Sequence, residues 1–98
     1  MHYVASGEYV EFEWNEHKRL RNLEKHGIDF QDAAEALLEP HLEVRSDRNG
    51  EVRSLAICRA TKRIIAVVYT ARDDRCRIVS ARPARRYERK EYRQIFGE

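Results

Sequence analysis

The order of hydrophobic and polar residues near the start of the chain predicts a strand followed by a helix. Between residues 9 and 14 apolar and polar residues alternate, which is the period of a half-buried strand. Asn15 then provides a helix N-cap, and the next residue is acidic, as the first turn of a helix favours. Together they predict a helix from residue 16 to about residue 26. We expect Leu20 and Leu23 to form the narrow apolar stripe of this helix.

A second helix is predicted after a short break. Gly27 stands where the left-handed C-cap residue of the first helix is expected, and Asp29 is in position to cap the next helix. Pro40 ends that helix, because proline lacks the amide hydrogen that a helix interior requires. The expected buried face consists of apolar residues at helical spacing: Phe30, Ala33, Ala34, Leu37 and Leu38.

After Pro40 the pattern changes to short strands separated by turn residues. The predicted strands cover residues 41–46, 51–58, 64–69 and 76–82. Asn49-Gly50 is a dipeptide that suits the tight turn of a hairpin, and the apolar run at 64–69 predicts the central strand. Pro83 is suited to the first turn of a last helix, which we expect at residues 84–96.

These elements predict an α+β fold with the order βααββββα. Two helices from the N-terminal half and one C-terminal helix would pack against a curved antiparallel sheet. A chain of 98 residues has room for one hydrophobic core, so we predict a single domain at residues 10–98. Residues 1–8 show no clear period, and residues 1–9 are predicted to form an N-terminal arm.

Charge is distributed unevenly along the chain. The overall net charge is +2, yet residues 1–44 carry ten acidic and four basic side chains, a net charge of −6. Residues 72–93 carry nine basic and four acidic side chains, a net charge of +5. The C-terminal part therefore predicts a basic face that attracts phosphates or an acidic partner, although two solvated faces without a partner explain the composition as well.

Several classes of protein are not indicated by the sequence. No apolar run approaches the roughly 20 residues that span a bilayer, and the start lacks the pattern of a signal peptide, so we expect a cytoplasmic protein. Cys58 and Cys76 lack the spacing of zinc ligands and are expected to be buried thiols. No P-loop, HExxH motif or nucleophile elbow is present, and no metal or other cofactor is expected.

Arginines dominate the basic C-terminal part. They are predicted at two strand ends and along one stripe of the last helix: Arg72, Arg75, Arg77, Arg82, Arg85, Arg86, Arg89 and Arg93. Such a stripe is typical of a surface that follows a nucleic-acid backbone, with Tyr87 and Tyr92 as candidates for base stacking. The alternative is a solvated helix whose arginines pair with Glu88 and Glu91, and whose tyrosines pack in the core.

The stretch Lys25-His26-Gly27 also has two interpretations. A histidine in the last turn of a helix interacts favourably with the helix dipole, and glycine follows for backbone reasons. Alternatively, the imidazole of His26 titrates near neutral pH and is suited to proton transfer. Lys18 and Lys25 are seven residues apart, which puts them on nearly the same helix face, where they either hold a phosphate or are solvated.

Five blocks of residues in this order resemble the BrnT family of toxins. They cover about residues 10–93 and read Phe12-x-Trp14-Asn15-x-x-Lys18, Asn22-x-x-Lys25-His26-Gly27-Ile28-x-Phe30, Val67-Val68-Tyr69-Thr70-x-Arg72, Arg77-Ile78-Val79-Ser80-Ala81-Arg82-Pro83-Ala84 and Glu88-Arg89-x-x-Tyr92. Two positions depart from the pattern. Asn15 stands where an aspartate is common, and Lys62 occupies a predicted turn where glycine is frequent.

The resemblance implies a RelE-like fold and a ribonuclease toxin of a type II toxin–antitoxin system, which cuts RNA and so inhibits translation and growth. It also implies a partner antitoxin similar to BrnA. That partner would carry a ribbon-helix-helix DNA-binding domain, so the toxin would meet DNA only through it. The family pattern points to site residues at these positions: Lys18, Lys25, His26, Arg72, Arg82, Glu88 and Arg89.

Together, the residues and the resemblance give a mechanistic hypothesis without metal. Arg72, Arg82 and Arg89, with Lys18 and Lys25, would hold the scissile phosphate, and either His26 or Glu88 would transfer protons. The remaining arginines expected to bind RNA are Arg77, Arg85, Arg86 and Arg93. The hypothesis requires these cations to meet in one pocket. The alternative is a non-catalytic module that binds nucleic acid or an acidic protein.

Overall fold

The structure is a computed structural model that describes residues 1–4 and 11–97. In that part of the chain the elements are β1 (His2–Val4), β2 (Glu11–Glu13), α1 (Glu16–His26), α2 (Phe30–Leu37), β3 (His41–Arg45), β4 (Ser54–Ala60), β5 (Arg63–Arg72), β6 (Arg75–Pro83) and α3 (Arg86–Phe96). The strands form one sheet in the order β1-β3-β4-β5-β6-β2. The predicted α+β class is confirmed, whereas residues 9 and 10 of the predicted first strand lie outside the described residues.

The ends of α1 and α2 follow the local signals in the sequence. The side chain of Asn15 accepts a hydrogen bond from a backbone N–H of the first turn of α1 at 3.0 Å. Gly27 has a left-handed φ of 69°, and its N–H donates to Leu23 O at 2.8 Å. Asp29 caps α2 by accepting from the N–H of Gln31 at 3.0 Å. All three predicted caps are confirmed.

Alternate residues of the central strands build a hydrophobic core on each face of the sheet. The helix α2 covers one face, here called the α2 face, where Phe30 and Leu37 pack on residues such as Ile65, Val67 and Ile78. The helix α3 covers part of the opposite face, here called the α3 face. The core on that side is formed by Leu42, Ile57, Ile64, Ala66, Ala84 and Tyr92.

The sheet differs from the prediction at both edges. It is not purely antiparallel, because β2 pairs with β6 in the parallel direction. A tight hairpin would force antiparallel pairing, but β2 and β6 are joined through the rest of the domain, so either direction is possible. The strand at the other edge is β1, which pairs with β3. It lies in the N-terminal segment for which no strand or helix was predicted. The predicted turn at Asn49 and Gly50 is confirmed, with φ values of 52° and 76°.

The predicted buried stripe of α1 is wrong. Leu20 and Leu23 are 54% and 38% exposed, whereas Asn22 between them is buried. The amide of Asn22 donates to Ile28 O at 2.9 Å and accepts from the N–H of Ala81 in β6 at 3.2 Å. Since β2 pairs only with the first residues of β6, the later part of that strand edge has no strand neighbour. The Asn22 side chain satisfies its free amide, and this polar contact fixes the orientation of α1.

The predicted position of Pro83 is also wrong. Pro83 is the last residue of β6, where it pairs with Ile65, and α3 begins only at Arg86. The helix is capped instead by Glu88, whose carboxylate accepts from the N–H of Arg85 at 2.7 Å. Consequently Arg82 belongs to a strand and is not part of the helical stripe of arginines.

A β-bulge in β6 decides which face of the sheet Arg82 occupies. Val68 pairs with Ser80 but Tyr69 pairs with Ile78, so β6 contains one extra residue. Without it, Arg77 and Arg82 would point to opposite faces, because they are an odd number of residues apart. With the bulge, Arg82 lies opposite Ala66 and therefore on the α3 face, which it shares with Arg77.

Candidate active site

Arg82 is held in place by a buried carboxylate. Its Nη1 and Nη2 donate to the two carboxylate oxygens of Glu88 at 2.8 and 3.0 Å. The Glu88 side chain is 0% exposed and that of Arg82 is 24% exposed. Burial raises the pKa of Glu88, but the hydrogen bonds from Arg82 and from the backbone of Arg85 outweigh it and lower the pKa. The pair is therefore ionised, and Nε of Arg82 has no partner among the described residues.

The C-terminus of α1 brings a histidine to the same place. Burial of the ring lowers the pKa of His26 below its ordinary value of 6.5, and the positive charges of Lys25, Arg82 and Arg63 lower it further. Within residues 1–4 and 11–97 the His26 ring has no hydrogen-bond partner. At neutral pH this histidine is uncharged and can accept a proton.

Helix geometry puts the two lysines of α1 on the side of Asn22 that is turned away from α2. Asn22 faces β6, and Arg19 pairs with Asp29 at the start of α2 at 3.0 Å, so the Arg19 side of α1 lies toward the α2 face. Lys18 and Lys25 lie on the other side of Asn22, rotated by about 40° and 60° around the helix axis. Lys25 is therefore close to the Arg82 end of β6, whereas Lys18 lies about two turns, or roughly 10 Å, further back.

Arg72 and Arg77 lie at the other end of the same sheet face. Arg72 is six residues along β5 from Ala66, the residue that pairs with Arg82, which separates them by about 20 Å. Arg77 donates to Glu13 at 2.8 Å. The expected single pocket is therefore not formed: Lys25, His26 and Arg82 come together, while Arg72 and Arg77 line a separate hollow of about 540 Å³.

The arginines of α3 lie beside Arg82. Arg85 precedes the helix, and Arg86 is exposed on its first turn. Arg89 donates to the backbone oxygen of Ala84, and Arg93 lies one turn further along. The two tyrosines differ: Tyr92 packs in the core, 4.5 Å from the ring of Phe96, whereas Tyr87 is exposed.

Comparisons with known proteins identify the family of this chain. A family model described as the ribonuclease toxin BrnT of type II toxin–antitoxin systems matches residues 14–88. The crystal structure of the Brucella abortus ribonuclease toxin BrnT is similar, with a TM-score of 0.59 and 28% sequence identity, covering 78% of this chain and 97% of that chain. No curated protein sequence matches the chain.

The chain belongs to the BrnT family. Its members are ribonuclease toxins of type II toxin–antitoxin systems, so this chain is a ribonuclease toxin and the system implies an antitoxin partner. The matched range includes Lys18, Lys25, His26, Arg82 and Glu88 and ends before Arg89. The resemblance to BrnT found in the sequence is confirmed, and the RelE-like character stays a prediction.

Sequence reasoning missed one residue that lies at the candidate site of this BrnT toxin. Arg63, the first residue of β5, donates from Nη2 to the backbone oxygen of His26 at 2.7 Å and lowers the pKa of that histidine. No local signal points to it, because His26 and Arg63 are 37 residues apart in the chain. Only the pairing of β5 with β6, which brings the start of β5 beside Pro83, makes this contact possible.

Metal-binding clusters and membrane-spanning helices are both absent from the described residues of this BrnT fold. No group of three or more His, Cys, Asp or Glu side chains in that part of the chain is arranged to hold a metal ion. None of its helices has the length and apolar character needed to cross a membrane. Cys58 and Cys76 are buried free thiols, and burial raises the pKa of each to about 12.

Proposed function

We propose that this toxin cleaves RNA at a site formed by Arg82, His26 and Lys25. The observation that carries the proposal is the bidentate contact between Arg82 and buried Glu88, next to an uncharged histidine. A guanidinium that is fixed before the substrate arrives stabilises a phosphorane-like transition state without having to reorganise. Lys25 adds a second positive charge, which is near enough to His26 to lower its pKa.

In the proposed reaction the ring of His26 accepts the proton of a ribose 2′-hydroxyl. The 2′-oxygen forms a bond to the adjacent phosphorus, and the bond from phosphorus to the 5′-oxygen breaks. The 5′-oxygen takes up a proton from water. The products are a strand ending in a 2′,3′-cyclic phosphate and a strand with a free 5′-hydroxyl, and the charges of Arg82 and Lys25 stabilise the phosphate oxygens in between.

Glu88 is proposed to position Arg82 and to transfer no proton. Both of its oxygens accept hydrogen bonds from Arg82, one of them also accepts from the N–H of Arg85, and its pKa is lowered. A carboxylate with these partners is a weak base. Of the two proton-transfer candidates named from the sequence, the geometry therefore favours His26.

The other predicted site residues are proposed to contact the RNA away from the scissile bond. Lys18 lies about two helix turns behind Lys25, and Arg72 lies about 20 Å from Arg82, so neither shares a phosphate with it. Arginines beside α3 are closer and follow the helix: Arg85, Arg86, Arg89 and Arg93. Tyr87 is exposed among them and is proposed to stack on a base.

We also propose that the antitoxin partner is a BrnA-like ribbon-helix-helix protein, and that the toxin contacts DNA only through it. This follows from the family and from the sequence resemblance. The free toxin would act on RNA in the cytoplasm. Residues 2–4 of the predicted N-terminal arm belong to the sheet of the domain as strand β1.

The test is an analysis of cleavage products. Purified toxin is incubated with a single-stranded RNA of mixed sequence in the presence of EDTA, and the products are identified by mass spectrometry. We expect cleavage to continue in EDTA and to give 2′,3′-cyclic phosphate ends, because the cations of the protein supply the positive charge. His26→Ala should abolish cleavage. Linear 3′-phosphates as the first products, or full activity of His26→Ala, would overturn the mechanism.

A further inference from the structure

A groove beside the proposed active site carries positive charge that the proposed reaction does not use. It has a volume of about 390 Å³ and lies between the turn that joins β4 to β5 and the middle of α3. Its basic lining residues are Arg59, Lys62, Arg63, Arg89 and Arg93, and its floor is formed by Ile64, Pro83 and Ala84. No carboxylate of residues 1–4 and 11–97 lines it.

Backbone contacts fix both walls of this groove. Arg63 donates to the backbone oxygen of His26 at 2.7 Å, and Arg89 donates to the backbone oxygen of Ala84. Between them, the N–H of Ala84 donates to the backbone oxygen of Ile64 at 3.0 Å and joins the start of α3 to β5. The two guanidinium groups are therefore held in place by neutral carbonyls and keep their full positive charge.

The turn that presents Lys62 has an unusual backbone. Thr61, immediately before it, has a φ of 58°, in the left-handed region that β-branched residues rarely adopt. The departure noted in the sequence is thus explained in part: the left-handed residue of this turn is Thr61 rather than Lys62. Strained backbone of this kind concentrates at functional sites, where the surrounding structure holds it.

Four of the five basic residues of the groove have no acidic partner among the described residues. In the part of the chain that the structure describes, Lys62, Arg63, Arg89 and Arg93 form no ion pair with a carboxylate. Like charges gathered in one groove repel each other, and a bound anion removes that repulsion. Guanidinium groups in particular match the geometry of phosphate oxygens.

We propose that this groove binds backbone phosphates of the RNA strand next to the scissile one. The groove is continuous with the site of cleavage, because Arg63 contacts His26 and Pro83 directly follows Arg82. An RNA strand with its scissile phosphate at Arg82 would continue over Pro83 into the groove. The inference rests on the proposed function, and it assigns Lys62 and Arg63 of the β4–β5 hairpin to substrate binding.

The first test measures binding of an RNA that cannot be cleaved. A fluorescent single-stranded 12-mer with 2′-O-methyl groups is titrated with toxin at several salt concentrations, and anisotropy gives the affinity. For the double variant Lys62→Gln/Arg93→Gln we expect the slope of log K against log salt to decrease in magnitude by about 1.4, since each lost phosphate contact removes about 0.7. The charge-preserving variant Lys62→Arg/Arg93→Lys should keep the wild-type slope.

A matched control is provided by Arg48, an exposed arginine in the turn between β3 and β4. Arg48→Gln removes one charge from the opposite end of the molecule and should leave the slope unchanged. An unchanged slope in Lys62→Gln/Arg93→Gln would overturn the proposal. The proposal would also be overturned if Lys62→Gln/Arg93→Gln bound the 12-mer normally but lost affinity for an acidic protein partner. The groove would then be a protein-binding surface.

Because the oligonucleotide cannot be cleaved, this test is independent of the proposed reaction. An inactive His26→Ala toxin with a wild-type salt slope supports the groove. Conversely, if His26→Ala still cleaves RNA while the groove variants lose their phosphate contacts, the catalytic assignment fails and the groove assignment stands.

Discussion

The two ends of the β5–β6 hairpin carry arginines on the same face of the sheet, but in different electrostatic surroundings. At the end near the turn between the two strands, Arg72, Arg75 and Arg77 share a hollow with four carboxylates, those of Glu13, Glu51, Asp73 and Asp74. At the other end, Arg82 adjoins a groove whose described lining residues include five cations and no carboxylate. The number of arginines is similar, so the position of the acidic residues makes the difference.

The burial of the acidic partner is the second difference. Arg77 and Glu13 are 47% and 40% exposed, and an ion pair of this kind contributes little because water screens it. The partner of Arg82 is fully buried and accepts hydrogen bonds on both oxygens. An exposed carboxylate competes with RNA phosphate for the arginine, whereas buried Glu88 orients Arg82 and leaves its outer edge accessible. We therefore expect the two ends to respond differently to the same substitution.

The largest effect is expected from removing the oriented arginine. Arg82→Ala should reduce kcat/KM for RNA cleavage by about 10²–10³-fold, the usual cost of a lost transition-state donor. Arg77→Ala should reduce it by less than about tenfold, because its charge is already neutralised by Glu13. A fluorogenic RNA substrate measures both, and circular dichroism checks that both variants are folded. Equal losses in the two variants would show that the two ends are functionally equivalent.

The carboxylate of Glu88 should likewise contribute more to the stability of the fold than the carboxylate of Glu13. Glu88→Gln removes one partner of a buried ion pair and should lower the free energy of unfolding by about 3 kcal/mol, a large part of the stability of a domain of this size. Glu13→Gln breaks only exposed pairs with Arg75 and Arg77 and should cost less than about 1 kcal/mol. Urea unfolding at neutral pH compares them.

The pH dependence gives a control for this pair of variants. The pKa of Glu88 is lowered in the folded state, so its stabilisation is complete above the unfolded value of 4.5 and is lost as the pH falls through the folded value. At about pH 3 the difference between wild type and Glu88→Gln should therefore be smaller than at neutral pH. A difference that stays constant would mean that Glu88 acts through packing and not through its charge.

Sequence patterns predicted the features that depend on neighbouring residues. The caps at Asn15, Gly27 and Asp29 and the turn at Asn49-Gly50 depend on the conformational preferences of a few residues, and all were found where expected. The pair Lys25 and His26 was correctly placed at the end of α1 for the same reason.

Features that depend on distant parts of the chain were not predicted. The bulge at Val79 is visible only in the register of β5 against β6, and it alone puts Arg82 on the α3 face. The buried side of α1 is set by a hydrogen bond from Asn22 to Ala81, which apolar periodicity does not register. Periodicity favoured Leu20 and Leu23 instead, because it treats every buried contact as hydrophobic. Arg72 and Arg82 were expected to lie close together because both belong to the β5–β6 hairpin. They lie at opposite ends of this hairpin, and the sequence did not show which end each of them occupies.

The smallest effect is expected on the pKa of His26, the proposed proton acceptor. It tests whether the charges at one end of the β5–β6 hairpin act only at that end. Arg63→Gln removes one of the charges that lower the pKa of His26, so that pKa should rise, by less than about one unit. NMR titration of the ring protons measures the shift directly. Because an uncharged His26 is required, the acid limb of the kcat/KM profile should move to higher pH by the same amount.

Arg75→Gln is the matched control, since it removes the same charge at the far end of β6. At about 20 Å or more, beyond two Debye lengths at physiological ionic strength, its charge is screened and should leave the pKa of His26 unchanged. If Arg75→Gln moved the acid limb as far as Arg63→Gln does, long-range net charge would govern the histidine. The local arrangement of Arg63, Lys25 and Arg82 around His26 would then have no special role. A shift confined to Arg63→Gln would instead make the electrostatic difference between the two ends of the hairpin the property that sets the pH range of the toxin.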